Sequence, residues 1–306
     1  MPNLQIKFLE KSFSNPLVLP SGIAQNIPSD HNRFIRLGVG AITTKSLTIE
    51  PRVGNPIPRV INYPHGYLNS VGLLNPGIEK GKRLIADFLK TSNIPVFVSV
   101  FADTSEKFKT IVSEIAELNP PFIELNLSCP NVSHEFGKIL GTEVKSASEA
   151  VKASKAVAGN IPLVTKLTPN VANISEVAKA CEASGADAIS AINTVGPGMV
   201  INLKTKKPVL GAKKGGVSGP GIKPVAVRCI YDIFESVKIP IIGTGGVTTA
   251  EDALEVMMAG ATLVGVGSAW YIKGDSVFED IKKGLLKYME KEKIESLSEL
   301  VGVAHR

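Results

Sequence analysis

The chain has 306 residues, of which 44% are hydrophobic and 20% are charged, and its formal net charge at pH 7 is +6. This composition is that of ordinary globular proteins and excludes a disordered or fibrous chain. No apolar run approaches the roughly 18 residues of a membrane span, and the first residues lack the regions of a signal peptide, so we expect a cytoplasmic protein.

The residues from 3 to 14 predict a short N-terminal β-hairpin, and eight apolar, β-branched runs follow it. From about residue 95 onward these runs alternate with helical patterns, which is typical of strand–helix units around a parallel sheet buried on both faces. We therefore expect an α/β fold, a (β/α)₈ TIM barrel in one domain of residues 1–306, with the hairpin capping its bottom. The predicted strands are 16–22, 40–46, 95–101, 121–128, 161–167, 186–193, 239–245 and 261–268.

An open doubly wound sheet is the structural alternative. It is disfavoured because the glycine fingerprint of dinucleotide-binding sheets, G-x-G-x-x-G, does not follow the first strand at PSGIAQN, residues 20–26. The longest irregular stretch, residues 50–77, is rich in Pro, Gly and Asn. Because long loops without secondary structure are usually functional, we place this stretch on the active face.

Polar residues stand where the predicted strands end, and barrels of this type form their active sites at those ends. Lys45 and Lys166 are the most informative, since a buried ammonium group needs an anion or an electron-rich ligand. For each lysine alone a salt bridge is an equal alternative, but the pair favours a ligand. The strand-end candidates are Ser21, Lys45, Ser46, Asn126, Cys129, Asn131, Lys166, Asn193, Thr194, Gly245, Gly246, Gly267 and Ser268.

The last two strands end in glycine-rich segments, residues 243–247 and 264–268. Glycines let backbone amides approach a phosphate, and barrels often bind phosphate after strands seven and eight. Thr248 and Glu251 fit a capping box at the next helix. A phosphate group together with a polarised ring suggests flavin mononucleotide (FMN).

The segment ELNLSCPN, residues 124–131, places Cys129 just after a strand and between two asparagines. A thiol beside a flavin can act as a general base while a hydride leaves the adjacent carbon. The alternative is a small buried hydrophobic side chain, which is our interpretation of Cys181 and Cys229 in helical patterns. The cysteines and the four histidines are too scattered for a disulfide framework or a metal site.

Seven segments together resemble the class 1 dihydroorotate dehydrogenases over nearly the whole chain. They are 44–59, 68–77, 124–131, 164–169, 192–199, 215–226 and 241–253. The resemblance implies FMN-dependent oxidation of (S)-dihydroorotate to orotate in pyrimidine synthesis. It makes Cys129 the base that removes the C5 proton, while hydride passes from C6 to N5 of FMN.

The resemblance also assigns binding residues by position. Lys45 is close to both flavin and substrate, and is placed with Cys129 in catalysis. The substrate-binding residues implied are Lys45, Asn69, Val71, Gly72, Leu73, Asn126, Asn131, Asn193 and Thr194. The flavin-binding residues implied are Ser21, Lys45, Ser46, Asn126, Lys166, Gly219, Gly245, Gly246, Gly267 and Ser268.

The segments 202–210 and 215–226 are similar to the class 1B branch, whose catalytic subunits form a homodimer core and join an iron–sulfur flavoprotein with FAD that passes electrons to NAD. The lysine run of residues 204–214 is then either a solvated loop or part of a docking surface. Residues 132–145 depart from the glycine-rich loop of that branch, so a fumarate-linked homodimer stays an alternative. Two further alternatives are a dihydropyrimidine dehydrogenase-type enzyme, disfavoured by Asn131, and a non-catalytic flavin-binding barrel.

Overall fold

The secondary structure alternates strands and helices through most of the chain. The computed structural model describes residues 2–25, 27–128 and 140–306. Its strands are β1 (Ile6–Phe8), β2 (Lys11–Phe13), β3 (Leu17–Leu19), β4 (Ala41–Thr43), β5 (Val60–Tyr63), β6 (Gly66–Asn69), β7 (Val96–Val100), β8 (Phe122–Asn126), β9 (Leu163–Lys166), β10 (Ala188–Ala191), β11 (Val195–Gly198), β12 (Ile201–Asn202), β13 (Lys207–Pro208), β14 (Gly215–Ser218), β15 (Ile241–Thr244) and β16 (Leu263–Gly265).

The helices pack outside these strands through their apolar faces. They are α1 (Pro28–Arg36), α2 (Gly77–Thr91), α3 (Ser105–Ala116), α4 (Val144–Lys155), α5 (Ile174–Ala183), α6 (Lys223–Ser236), α7 (Ala250–Met258), α8 (Ser268–Lys273) and α9 (Val277–Glu292), with short 3₁₀ helices at Leu140–Thr142, Pro220–Ile222, Leu297–Leu300 and Val303–His305. Within the described residues, no helix combines the length and the apolar character that a membrane span requires.

Eight parallel strands close into a barrel in the order β3, β4, β7, β8, β9, β10, β15 and β16. Each of them lies within one of the eight predicted runs, so the predicted TIM barrel is confirmed. The strands are buried almost throughout, because helices cover the barrel from outside and side chains fill it from inside. The pairing of β8 with β9 places Asn126 beside Lys166 at the carboxyl end of the barrel.

The predicted N-terminal hairpin forms from β1 and β2 and closes the opposite end. The ring of Phe8 contacts the rings of Phe97 and Phe122 at centroid distances of 6.1 and 6.0 Å. Phe97 and Phe122 lie near the starts of β7 and β8 and stack on each other at 4.5 Å. The hairpin therefore seals the bottom of the barrel with aromatic side chains.

A second sheet covers part of that open end, in the order β11, β14, β6 and β5. Residues 50–77 are thus less irregular than the sequence suggested, because they contain the β5–β6 hairpin. Gly66 is required in this sheet: its φ is +153°, and a Cβ would stand 2.0 Å from the Ser218 carbonyl oxygen of β14. The expected position of the segment on the active face is confirmed.

The capping box of α7 is one residue later than the sequence predicted. Thr249, not Thr248, is the N-cap, and its partner is Asp252 instead of Glu251. The Asp252 carboxylate accepts hydrogen bonds from the Thr248 and Thr249 N–H groups and from Lys223 Nζ. Asp252 thus caps the start of the helix and also binds the adjoining loop. Two successive threonines are each followed by an acidic residue three positions later, so the sequence pattern alone did not show which pair forms the capping box.

His31 on α1 is buried among apolar side chains. Its ring lies 4.2 Å from that of Phe88, and neither ring nitrogen has a hydrogen-bond partner within the described structure. Burial, opposed by the nearby Asp30 carboxylate, lowers the pKa of His31 to about 4 from its ordinary value of 6.5. Between pH 6.5 and about pH 4, His31 is therefore protonated in the unfolded chain but mainly neutral in the folded chain.

This arrangement predicts acid sensitivity that is specific to His31. Above pH 6.5 the group costs nothing, and as the pH falls towards 4 the free energy of unfolding should decrease by about 3 kcal/mol, at roughly 1.36 kcal/mol per pKa unit. Urea unfolding at pH 7 and pH 4.5 should show His31→Leu losing less stability than the wild type. An equal loss in His31→Leu, or an equal gain from the matched change at exposed His65, would contradict the prediction.

Candidate functional site

A cavity opens at the carboxyl end of the barrel, between the strand ends and the second sheet. Its volume is about 250 Å³. Of the residues that the sequence assigned to the site, it brings together all those within the described chain: Ser21, Lys45, Ser46, Asn69, Val71, Gly72, Leu73, Asn126, Lys166, Asn193, Thr194, Gly219, Gly245, Gly246, Gly267 and Ser268. Cys129 and Asn131 lie outside the described residues.

Two buried lysines enter the cavity from strand ends. The exposed fractions of Lys45, after β4, and Lys166, at the end of β9, are 8% and 6%. Among the described ion pairs and hydrogen bonds, none involves the Lys166 ammonium group. An ammonium group held out of water in this way fits a cavity that receives an anionic or electron-rich ligand.

Ser128 connects two of the cavity asparagines. Its hydroxyl donates to Asn126 Oδ1 at 3.1 Å and accepts from Asn193 Nδ2 at 2.8 Å. The Asn126 oxygen also accepts from the Ser128 N–H, and Asn193 Oδ1 accepts from the Thr194 N–H. Both amides are therefore held in defined orientations, as recognition of a ring with several amide groups requires. Ser128 was not predicted as a site residue, although it stands inside the ELNLSCPN segment.

A chain of hydroxyl groups runs from the cavity into the barrel. Asn126 Nδ2 donates to Ser46 Oγ at 3.0 Å, Ser46 Oγ lies 2.8 Å from Ser99 Oγ, and Ser99 donates to Glu124 Oε1 at 2.9 Å. Because the Ser99 hydrogen is used by Glu124, Ser46 must donate to Ser99. Ser21, 3.3 Å from Ser46, is then the donor of that contact. Ser99 and Glu124 were not predicted, because they lie within strands and not at their ends.

Val71, Gly72 and Leu73 are adjacent residues in the wall of the cavity. Their carbonyl groups are occupied elsewhere, by the Asn55 N–H, Arg52 Nε and Asn75 Nδ2 respectively. In the described part of the chain the three N–H groups donate to no acceptor. Three adjacent unpaired donors at a cavity wall form a site for a carboxylate or another small anion.

A second group of N–H donors lies at the ends of β15 and β16. Those of Gly246, Val247, Gly267 and Ser268 also lack an acceptor among the residues described. The start of α7 does not contribute, since the Asp252 carboxylate already occupies it. Burial raises the pKa of Asp252, but hydrogen bonds from Lys223 and Thr248 outweigh that effect and hold the pKa below its usual value. The phosphate-binding expectation is therefore restricted to the glycine-rich loops themselves.

Several lining residues were not predicted from the sequence. Tyr67 comes from the β5–β6 hairpin, and its hydroxyl donates to the carbonyl oxygen of Tyr271 at 3.3 Å. Thr244, Val247 and Gly265 lie inside the glycine-rich segments and could have been predicted from them. Tyr67 and Tyr271 are far apart in sequence and come together only in the tertiary fold. The further lining residues are Pro20, Gly22, Ile23, Val60, Tyr67, Ile192, Ser218, Ile222, Thr244, Val247, Gly265 and Tyr271.

The other two cysteines lie away from this cavity, as predicted. Cys181 on α5 and Cys229 on α6 are fully buried. Desolvation raises the pKa of Cys181 to about 12, and burial also raises that of Cys229, against the neighbouring Arg228. Both thiols are therefore poor nucleophiles or bases at neutral pH.

Comparisons with known proteins agree on one family. The family model described as "Dihydroorotate dehydrogenase" matches residues 3–289. The catalytic subunit of dihydroorotate dehydrogenase B (NAD(+)) from Pyrococcus abyssi is 41% identical over 98% of this chain and 99% of the relative. The protein of the same name from Methanothermobacter thermautotrophicus is 41% identical over 95% of both chains.

A solved structure supports the fold. The dihydroorotate dehydrogenase of Eimeria tenella, in complex with ferulenol, superposes with a TM-score of 0.86 and covers all of this chain. This chain covers 89% of that one, and the two are 19% identical. At that identity the likeness establishes the shared barrel and no detail of the site.

Proposed function

Because the chain belongs to the dihydroorotate dehydrogenase family, we propose that it oxidises (S)-dihydroorotate to orotate, in pyrimidine biosynthesis and with bound FMN. Sequence identity of about 40% along full-length relatives supports the activity. Of the structural observations, the strongest is that one cavity combines two groups of backbone N–H donors, unpaired among the described residues, with buried lysines and oriented asparagines. We treat residues 1–306 as a single FMN-binding domain.

The residues present fit FMN. The N–H groups of Gly246, Val247, Gly267 and Ser268 would hold the phosphate, together with the open approach that glycine allows. Lys166 would supply positive charge to the ring, with Lys45, Ser21, Ser46, Asn126 and Gly219 as the remaining contacts. When bound, FMN supplies the two-electron acceptor that takes hydride from a carbon atom.

The proposed substrate site is built around the donor group at Val71, Gly72 and Leu73. The N–H groups of Val71, Gly72 and Leu73 would bind the dihydroorotate carboxylate, and Asn69, Asn126, Asn131 and Asn193 the ring amides, beside Lys45 and Thr194. A carboxylate site distinguishes dihydroorotate from dihydrouracil, which has no such group. This feature favours the proposed activity over a dihydropyrimidine dehydrogenase-type enzyme.

Cys129 is the proposed general base, removing the proton from C5 as hydride leaves C6 for N5 of FMN. Support comes from its position in sequence: Ser128, which orients Asn126 and Asn193, is its direct neighbour. This adjacency in sequence to a residue that orients two cavity asparagines supports the assignment of Cys129. The oxidation is balanced by one proton to the base and one hydride to the flavin.

The proposed electron route ends on NAD, through an iron–sulfur flavoprotein partner with FAD. The relatives named above are catalytic subunits, which is a name for one component of an assembly. Exposed apolar side chains, Val53 (84%), Ile57 (79%) and Leu203 (88%), support a subunit contact, and we propose a homodimer core that includes them. The nearby lysine run, exposed at residues 204, 206, 207, 213 and 214, is a docking candidate for the partner.

Buried, free Cys181 and Cys229 accord with a reducing compartment, and we propose that the protein is located in the cytoplasm.

The decisive experiment is anaerobic reduction of the FMN-loaded chain. Addition of dihydroorotate should bleach the flavin absorbance, whereas dihydrouracil should not. Fumarate, and NAD with a candidate partner, are then offered to the reduced protein to identify the acceptor. Bound flavin that dihydroorotate leaves oxidised would refute the activity and favour a non-catalytic flavin-binding barrel.

A further inference from the structure

A buried carboxylate lies below the cavity and has no role in the proposed reaction. Glu124 on β8 is 2% exposed, and it stands between the aromatic layer at Phe122 and the cavity residue Asn126. Within the described structure its carboxylate accepts one hydrogen bond, from Ser99. A carboxylate with so little compensation is costly in a barrel interior, so its effect on the neighbouring site merits explanation.

Charged side chains in the barrel interior are concentrated around this position. Lys45 follows β4, Glu124 lies on β8 and Lys166 ends β9, and these strands belong to one continuous part of the barrel, β4–β7–β8–β9. No described ion pair joins Glu124 to either lysine. A carboxylate at this position offsets part of the positive potential of the two lysines.

Glu124 also fixes the hydroxyl groups above it. Because Ser99 donates to Glu124 and Ser46 donates to Ser99, the hydrogens of both hydroxyls point away from the cavity. Ser46 lines the cavity and accordingly offers no hydrogen-bond donor there, while its lone pairs accept from Asn126 and Ser21. Both consequences of the carboxylate, its charge and the hydroxyl direction, disfavour additional negative charge on a ligand in the cavity.

We propose that Glu124 is a positioning residue that lowers the reduction potential of FMN in this site. The inference rests on the proposed function, since it requires FMN in the cavity. Reduction by hydride brings two electrons and one proton to the flavin and so leaves it more negative. Lys45 and Lys166 favour that change, while Glu124 limits it and keeps the reduced cofactor able to pass its electrons to an acceptor.

The test is the midpoint potential of the FMN-loaded full chain, measured by titration with a reductant and a reference dye. Glu124→Gln keeps an acceptor for Ser99 but removes the charge. It should raise the equilibrium constant for flavin reduction about tenfold, which is about 30 mV for a two-electron couple. Glu290→Gln, the same change at an exposed position of α9, should leave the potential unchanged.

Two further variants separate charge from packing. Glu124→Asp retains the carboxylate and should keep a potential near that of the wild type; a rise equal to that of Glu124→Gln would overturn the proposal. Glu124→Met removes the charge with a side chain that needs no hydrogen bond, and should raise the potential even if Glu124→Gln does not fold. A wild-type potential in whichever neutral variant folds would overturn it as well.

The titration uses no dihydroorotate, so the two proposals fail separately. A wild-type chain that dihydroorotate cannot reduce refutes the proposed activity alone. Reduction by dihydroorotate with an unchanged potential in the neutral Glu124 variants refutes the role of Glu124 alone. A chain that binds no FMN refutes both.

Discussion

Replacement of Cys129 by alanine is expected to leave FMN bound while lowering the rate of dihydroorotate oxidation at pH 7 by about 10²–10⁴-fold, the usual contribution of a general base. Phosphate and ring contacts are assigned to other residues, so the cofactor should stay. The measurement is the anaerobic rate of flavin bleaching after mixing with dihydroorotate, with FMN content determined on the same sample.

The matched control is Cys181→Ala, the same substitution on α5, remote from the cavity. It should retain the wild-type rate, apart from a modest loss of stability from the buried methyl-sized void. Cys129→Ser should be slow at neutral pH and recover as the pH rises, because a hydroxyl is a far weaker acid than a thiol. A wild-type rate in Cys129→Ala would eliminate this thiol as the base and direct attention to Lys45.

Much of the fold could be predicted because the barrel strands are apolar runs. Burial on both faces of the sheet requires this pattern whichever side chains pack against it. The β5–β6 hairpin could not, since its strands, VINY and GYLN, lack that signal, and β6 also pairs with β14, nearly 150 residues later. Tertiary context decided this hairpin, as it commonly does for short strands.

The residues of the candidate site were also predictable only in part. Polar residues at strand ends, such as Lys166 and Asn193, could be assigned because a barrel gathers strand ends at one rim. Ser99 and Glu124 could not, since polar residues in mid-strand acquire meaning only from the strands beside them. The donor group at Val71–Leu73 depends on carbonyls turned towards Arg52, Asn55 and Asn75, and no sequence pattern records that direction.

Removal of the Lys166 ammonium group should have the largest effect on the cofactor. Lys166→Met keeps the length of the side chain but loses its charge, and we expect FMN to bind about 10- to 100-fold more weakly, since hydrogen bonds to charged groups contribute roughly 1.5–3 kcal/mol. The flavin that does bind should be harder to reduce, because a cation near the ring favours the more negative, reduced form. Fluorescence titration of the apoprotein with FMN measures the affinity.

The apoprotein should respond in the opposite direction. Lys166 is a buried cation without a described partner, so its replacement by an apolar side chain of similar volume should leave the apoprotein as stable as the wild type or more so. The stabilisation gained on adding FMN, which grows with ligand affinity, should shrink. Lys179→Met, the same change on the exposed face of α5, should alter neither quantity. Equal FMN affinity in Lys166→Met and Lys179→Met would show that the buried ammonium group serves the barrel and not the cofactor.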